Sequence, residues 1–253
     1  MYYTSKSNSD LKYHNKALNY LKEELKFLPF DFTQEDCILS GSLIIKSLFK
    51  PKASYKDIDF YFESEEKKEK IAKILTDNHY KIVADTKNAT TFDDGLNKQI
   101  QLIKMYMTPQ TLVHVHDFSN VSSCFNKGTF YINAKAFKAW KKNILNINNF
   151  PWFLINDPPA FKAQFILLLG RIEKYCKRYN LKLDDSFIKN ILKLDKTTLS
   201  LAMINTIEFS VLYEDYNGSI VAPLQGTATN KVIELLKAYY PEYQESMLYG
   251  LLK

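Results

Sequence analysis

The sequence predicts an α+β protein: a sheet flanked by helices over about residues 1–150, followed by an all-helical domain over residues 151–253. Three observations carry that expectation. Within Cys37–Glu63 a short apolar strand, a Gly41-Ser42 turn, about two turns of helix and a second strand follow one another. Further strand-like runs at Tyr80–Ala84, Gln99–Met105 and Thr129–Ile132 alternate with helical patterns. Past Asn146–Pro159, where Asn and Pro accumulate, every periodic segment has helical spacing.

Taken in order, residues 1–13 are polar and read as a loose lead-in. Leu18, Leu21, Leu25 and Leu28 then mark one face of a helix from about Asn15, which Pro29 terminates. Ser42 is expected to cap the helix after the first strand, and Ser64 that of Glu65–Thr76. Lys87–Asn97, with Asp93-Asp94-Gly95, has the chemistry of a hairpin turn. Thr108-Pro109 opens a short helix that runs into His114 and His116. With no further Cys/His cluster beside them, these two read as polar residues at an element end. Ala134–Asn143 forms a basic helix whose Trp140 is expected in the core beneath solvated lysines rather than on an RNA-facing surface. Ala160–Tyr179, Asp184–Leu194, Thr197–Leu212, Lys231–Tyr239 and Glu242–Leu252 complete the helical part.

Composition narrows the class. With 46% apolar and 25% charged residues in 253, the chain has the make-up of a soluble globular protein. A net charge of +6 permits nucleic-acid contact without demanding it. Cys37, Cys124 and Cys176 are odd in number and far apart, which excludes a disulfide framework, and Cys37 and Cys176 read as buried thiols. The N-terminus lacks an apolar leader, and the longest apolar run, Phe165–Leu169, is too short to cross a bilayer. A cytoplasmic protein without membrane contact is the expectation; the sequence specifies no oligomeric state.

The candidate chemistry lies on the second strand. Asp57 and Asp59 are two apart, so strand alternation turns both carboxylates to one face and Ile58, Phe60 and Phe62 to the other. Two neighbouring carboxylates repel unless a cation lies between them, and oxygen ligands of this kind suit Mg²⁺. The Gly41-Ser42 turn presents backbone N–H groups at the start of a helix, which suits a phosphate.

A Gly-Ser turn after an apolar strand, followed by Asp-x-Asp on the next strand, resembles the signature of the polymerase β nucleotidyltransferase superfamily. Fourteen residues separate Ser42 from Asp57, slightly more than is usual there. Two further patches are similar to the head and neck of tRNA CCA-adding enzymes and bacterial poly(A) polymerases. Asp117-Phe118-Ser119-Asn120 is similar to their Arg-Asp-Phe-Thr-x-Asn-Ala motif, with His116 in place of the Arg and the Asn displaced by one. Equally, it reads as a turn capped by Asp and Ser. Gly170–Leu181 is similar to their Arg-x-x-Arg-Phe run, with Arg171 and Lys174 at the cationic positions; a basic helix end answering the macrodipole explains these equally well.

The resemblance implies a nucleotidyltransferase-type mixed sheet and the transfer of an NMP from an NTP, ATP or CTP foremost, to an acceptor hydroxyl, with release of pyrophosphate. Asp57 and Asp59 would be catalytic and hold two Mg²⁺ ions, with Mn²⁺ as a substitute. Gly41, Ser42, Lys56, Gln101, Asp117, Arg171 and Lys174 would bind the nucleotide. Gln101 stands where a third carboxylate is often found, so either two carboxylates suffice or Asp117 supplies the third. An RNA 3′ end, tRNA-like, is the leading acceptor. A protein or small-molecule hydroxyl is the alternative, and so is a non-catalytic module that binds RNA or a partner.

Overall fold

Helix α1 spans Asn8–Glu24, so residues 8–13, expected as a lead-in, already belong to it. Nothing between Asn8 and Pro29 interrupts a helix, and the polar Asn8-Ser9-Asp10 run suits a helix start. The chain then tightens into turns, with the Leu28 amide donating to the Leu25 carbonyl at 3.0 Å, before Pro29. In this computed structural model the described residues are 8–96, 98–154, 156–195, 213–214, 220–221, 234–235 and 238. The chain divides into two compact units, Met1–Trp140 and Lys141–Lys253.

The first unit is built on a seven-stranded mixed sheet. In chain order its strands are β1 (Ile38–Ser40), β2 (Asp57–Phe62), β3 (Lys81–Asp85), β4 (Ala89–Asp93), β5 (Gln99–Tyr106), β6 (Ser123–Asn126) and β7 (Thr129–Ile132). Across the sheet they run β3-β4-β5-β2-β1-β6-β7. Only β2 and β5 pair in parallel; the other pairs are antiparallel. Helices α2 (Ser42–Leu48), α3 (Glu65–Asp77), α4 (Pro109–Val115) and α5 (Ala134–Lys142) complete the unit.

Two strands depart from the sequence expectation. The Lys87–Asn97 segment contains β4, and the turn is confined to its end, where the Asp93 and Asp94 carboxylates accept from the amides of Gly95 and Leu96. β6, Ser123–Asn126, was not expected at all: its polar Ser123 is buried because strands lie on both sides of it.

The main core fills one sheet face. Ile58, Phe60 and Phe62 of β2 meet Ile100 and Leu102 of β5, beneath Ala17, Leu21 and Leu25 around α1, Leu43, Ile44 and Leu48 of α2, and Ile71 and Leu75 of α3. Burying a side chain of this size contributes about 1.5–3 kcal/mol, so this face holds the sheet and its helices together. Ser64 caps α3 as expected, accepting from the Lys67 amide, and Thr108 caps α4, with Pro109 following. On the opposite face α4 packs Leu112 and Val113 against Ile38 and Cys124, with Tyr61 alongside.

Trp140 is a core residue. Its indole N–H donates to the Asn120 carbonyl at 3.0 Å and its ring stacks on Phe49 at 5.6 Å, with the Lys50 ammonium 5.5 Å from the ring.

In the second unit α6 (Pro158–Tyr179) and α7 (Asp185–Asp195) follow the expected helical pattern. Two small strand pairs accompany them: β8 (Ile144–Leu145) parallel to β9 (Lys182–Leu183), and β10 (Tyr213–Glu214) antiparallel to β11 (Ile220–Val221). Phe150, Phe161 and Phe165 form its aromatic centre. The helices expected at 197–212 and 242–252 lie outside the described residues; of 231–239, Glu234, Leu235 and Ala238 are described, and they are helical. Among the described residues no helix is long and apolar enough to cross a membrane. The three cysteines are buried thiols, and burial pushes those of Cys37 and Cys124 far above their ordinary pKa.

Candidate active site on the polar face of the sheet

The strand pairing lays out the site row by row. Residues directly opposite each other in adjacent strands share a face. Ser40 of β1, Asp59 of β2, Gln101 of β5 and Thr91 of β4 therefore form one polar row. Asp57 and Gln99 begin the next row, which Asp93 continues: the Gln99 amide donates to the Asp93 carboxylate at 3.3 Å. Asp57 and Asp59 are half-exposed while Ile58, Phe60 and Phe62 are buried, as alternation requires.

The row carrying Asp59 is mostly buried. Ser40 and Gln101 have no exposed surface, and Thr91 has 3%. Burying polar groups costs free energy unless they are hydrogen-bonded; Ser40 meets that demand by donating to the Ser123 carbonyl at 2.9 Å.

Gly41 fits against Asp59. Its φ of +77° lies in the region that favours glycine, and a Cβ built on it would stand 2.0 Å from the Asp59 Oδ2 and 3.0 Å from its Cγ. Only a residue without a side chain lets the carboxylate lie against the turn. Gly41 also takes the cap position of α2, its carbonyl accepting from the Ile45 amide at 3.3 Å. Ser42, expected as the cap, is instead the first helical residue, because the positive φ that ends the strand falls on Gly41.

The remaining candidates divide into two groups. Lys56 is exposed and immediately precedes Asp57. Asp117 is half-exposed just beyond α4, whereas Phe118, Ser119 and Asn120 are buried and the Asn120 carbonyl is bonded to Trp140. Arg171 and Lys174 are half-buried on α6 of the second unit, three residues apart and so on one helix face. Among the described residues no group of three His, Cys, Asp or Glu side chains is placed to hold a metal. Asp57 and Asp59 share one face of β2, and Asp117 lies just beyond α4. The donor set facing a cation is two carboxylates with an amide, Gln101, beside Asp59. It fits a hard divalent ion that draws its other ligands from water and a substrate phosphate, as Mg²⁺ commonly does.

Sequence reading missed Ser40, Thr91, Gln99 and Asp93 as parts of this floor. The β-prone Ala89-Thr90-Thr91-Phe92 run was the signal for β4, overshadowed by the Asp-Asp-Gly turn that follows it.

Comparison with solved structures identifies the fold. A tRNA-processing enzyme in apo form I aligns with all of this chain and 60% of its own, at 14% identity and a TM-score of 0.54. A CCA-adding enzyme in complex with CTP aligns with 98% of this chain and 51% of its own, at 11% identity and 0.53. The apo form I of a CCA-adding enzyme aligns with 95% and 53%, at 12% identity and 0.50. The chain thus spans 51–60% of the length of these proteins. What is shared is the polymerase β-type nucleotidyltransferase fold. No curated protein matches the sequence. The family model described as Gabija anti-defense 2 family protein matches residues 11–143, more than half of the chain.

Proposed function

The chain belongs to the Gabija anti-defense 2 family, and from that premise and the polar face of its sheet we propose that it is a metal-dependent nucleotidyltransferase. The observation that carries this reading is the Asp57/Asp59 pair on one face of β2, with Asp59 lying over the side-chain-free Gly41. Asp57 and Asp59 would hold Mg²⁺, or Mn²⁺ in its place. When bound, the metal supplies charge neutralisation for the triphosphate and for the leaving pyrophosphate. Gly41 and Ser42 bring backbone close to the phosphates, and Lys56 adds an exposed positive charge beside Asp57. Gln101, Asp117, Arg171 and Lys174 are the further nucleotide-binding candidates, with ATP or CTP as the leading substrates.

The acceptor has two readings. An RNA 3′ end, tRNA-like, is supported by the shared fold and by the net charge of +6. A protein hydroxyl is supported by the family's description as anti-defense, which directs attention to a defence component as the molecule modified. A single experiment separates them: the protein is incubated with each α-labelled NTP, Mg²⁺, total RNA and a cell lysate containing the defence proteins. Label in RNA selects the first reading and label in protein the second. Absence of label from both, with a folded protein, contradicts nucleotidyl transfer.

A further inference from the structure

Two stretches of the chain are rich in lysine and hold no acid. Residues 37–56 carry four lysines, residues 128–156 carry four more, and neither stretch contains an Asp or Glu. Against a whole-chain charge of +6, these eight positive charges leave −2 for all the rest. The fold sets the two stretches side by side. Phe49, just past α2, meets Phe137 of α5 at 5.4 Å and stacks on Trp140 at 5.6 Å, and the Lys50 ammonium lies 5.5 Å from the Trp140 ring. Lys52 follows on the first stretch, and Lys135 and Lys138 stand on α5; all three are exposed. Leu43 and Ile44 of α2 and Ala136 of α5 share the core with Ile58, Phe60 and Phe62. These helices therefore cover the sheet face opposite the one that carries Asp57 and Asp59.

Helix electrostatics do not account for the charges. Lys141 and Lys142, in the last turn of α5, answer its macrodipole, but Lys135 is the second residue of the helix, at the positive end, where a cation is disfavoured. Lys135 and Lys138 are three apart, and Lys138 is three and four from Lys141 and Lys142, so like charges repel along one side of α5. On other helices lysines at this spacing meet acids, as Lys67 meets Glu63 and Lys177 meets Glu173. A polyanion laid across the surface would relieve the repulsion. The apolar side chains of α5 narrow its chemistry: Ala136, Ala139 and Trp140 are buried and Phe137 packs on Phe49. The helix thus offers no exposed apolar side chain to enter a lipid surface or to anchor a protein partner. Lysines are compact point charges, suited to phosphates without a fixed bidentate geometry.

We infer that Lys50, Lys52, Lys135 and Lys138 form a surface that binds the sugar-phosphate backbone of a nucleic acid without regard to its sequence. This surface is separate from the carboxylate site and does not depend on the nucleotidyl-transfer reading.

The test is fluorescence anisotropy of the full chain with a short labelled RNA strand and a short labelled DNA duplex, both of mixed sequence, between about 50 and 200 mM KCl. The wild type should bind with an affinity that falls log-linearly with salt, and the tighter of the two probes identifies the source of the backbone. Lys50→Gln/Lys52→Gln/Lys135→Gln/Lys138→Gln should lose about tenfold or more in affinity, and its slope of log affinity against log salt should become shallower by about three. Lys16→Gln/Lys22→Gln/Lys81→Gln/Lys87→Gln removes the same charge from exposed positions elsewhere and should keep most of the binding. Lys135→Gln/Lys138→Gln leaves Lys50 over Trp140 and serves if the first variant does not fold, with about half the change in slope. Three results overturn the inference: no salt-dependent binding of either probe by the wild type, equal losses in the surface and control variants, or binding to phosphatidylserine vesicles in preference to both probes. Nucleotide binding at Asp57 and Asp59 is read separately, so any of these leaves the proposal for that site standing.

Discussion

At the scale of single residues, Gly41 and Asp59 form the tightest constraint in the site. An alanine at 41 faces a positive φ, a strain of about 1–3 kcal/mol, and its Cβ meets the Asp59 carboxylate at 2.0 Å. Gly41→Ala should therefore lower the melting temperature and also weaken Mn²⁺-dependent nucleotide binding, because Asp59 must move. Loss of stability with unchanged nucleotide binding would separate the turn from the site. A second residue-scale prediction concerns Glu24 of α1. Burial works to raise its pKa, but the hydrogen bond from Tyr55, with the Tyr20 hydroxyl, Lys46 and Lys98 nearby, outweighs that and holds it below its ordinary value of 4.5. A depressed carboxylate contributes stability that is complete above pH 4.5 and is lost as the pH falls below it through the folded value. Glu24→Gln should thus flatten the acid limb of a stability–pH curve and leave the change with pH above about 5.5 untouched; an acid limb identical to wild type would contradict the assignment.

At the scale of elements, the sequence and the structure part company where tertiary contacts override local chemistry. The parity of β2 was legible because alternation has a strict period of two: Asp57 and Asp59 on one side, Ile58, Phe60 and Phe62 on the other. The cap at Ser64 and the helix start at Thr108-Pro109 were legible from local chemistry. β4 was not, since Asp93-Asp94-Gly95 signals a turn more strongly than Ala89–Phe92 signals a strand. β6 was hidden because Ser-Cys-Phe-Asn has no alternation and its burial comes from neighbours distant in sequence. Helix α5 shows a correct expectation with a measurable consequence. Trp140 joins it to the turn around Asn120 and to Phe49. Trp140→Ala should cost about 3–5 kcal/mol, read as a shift in the urea midpoint, whereas Trp140→Phe retains the stacking and should cost markedly less. Equal losses in the two would assign the effect to the indole hydrogen bond alone.

For the whole molecule, the α+β architecture was legible from the order of its patterns and the mixed sheet from the family the motifs resemble, and the fold shared with CCA-adding enzymes agrees with both. The floor of the site was legible only in part. Residues close in sequence, Gly41, Ser42, Asp57 and Asp59, declared themselves through spacing. Those delivered by strand pairing, Ser40, Thr91, Gln99 and Asp93, did not, because register is a property of the assembled sheet. Arg171 and Lys174 belong to the other compact unit, and their part in nucleotide binding remains a proposal of the motif they resemble.

The most direct measurement is pyrophosphate release from an NTP by the wild-type protein, with acceptor present, beside Asp57→Asn/Asp59→Asn at equal concentration and with matching far-ultraviolet circular dichroism. The account predicts Mg²⁺-dependent release that falls at least about 100-fold in the double variant, the scale expected when a group stabilising transition-state charge is removed. Release at the wild-type rate from the folded variant would contradict it.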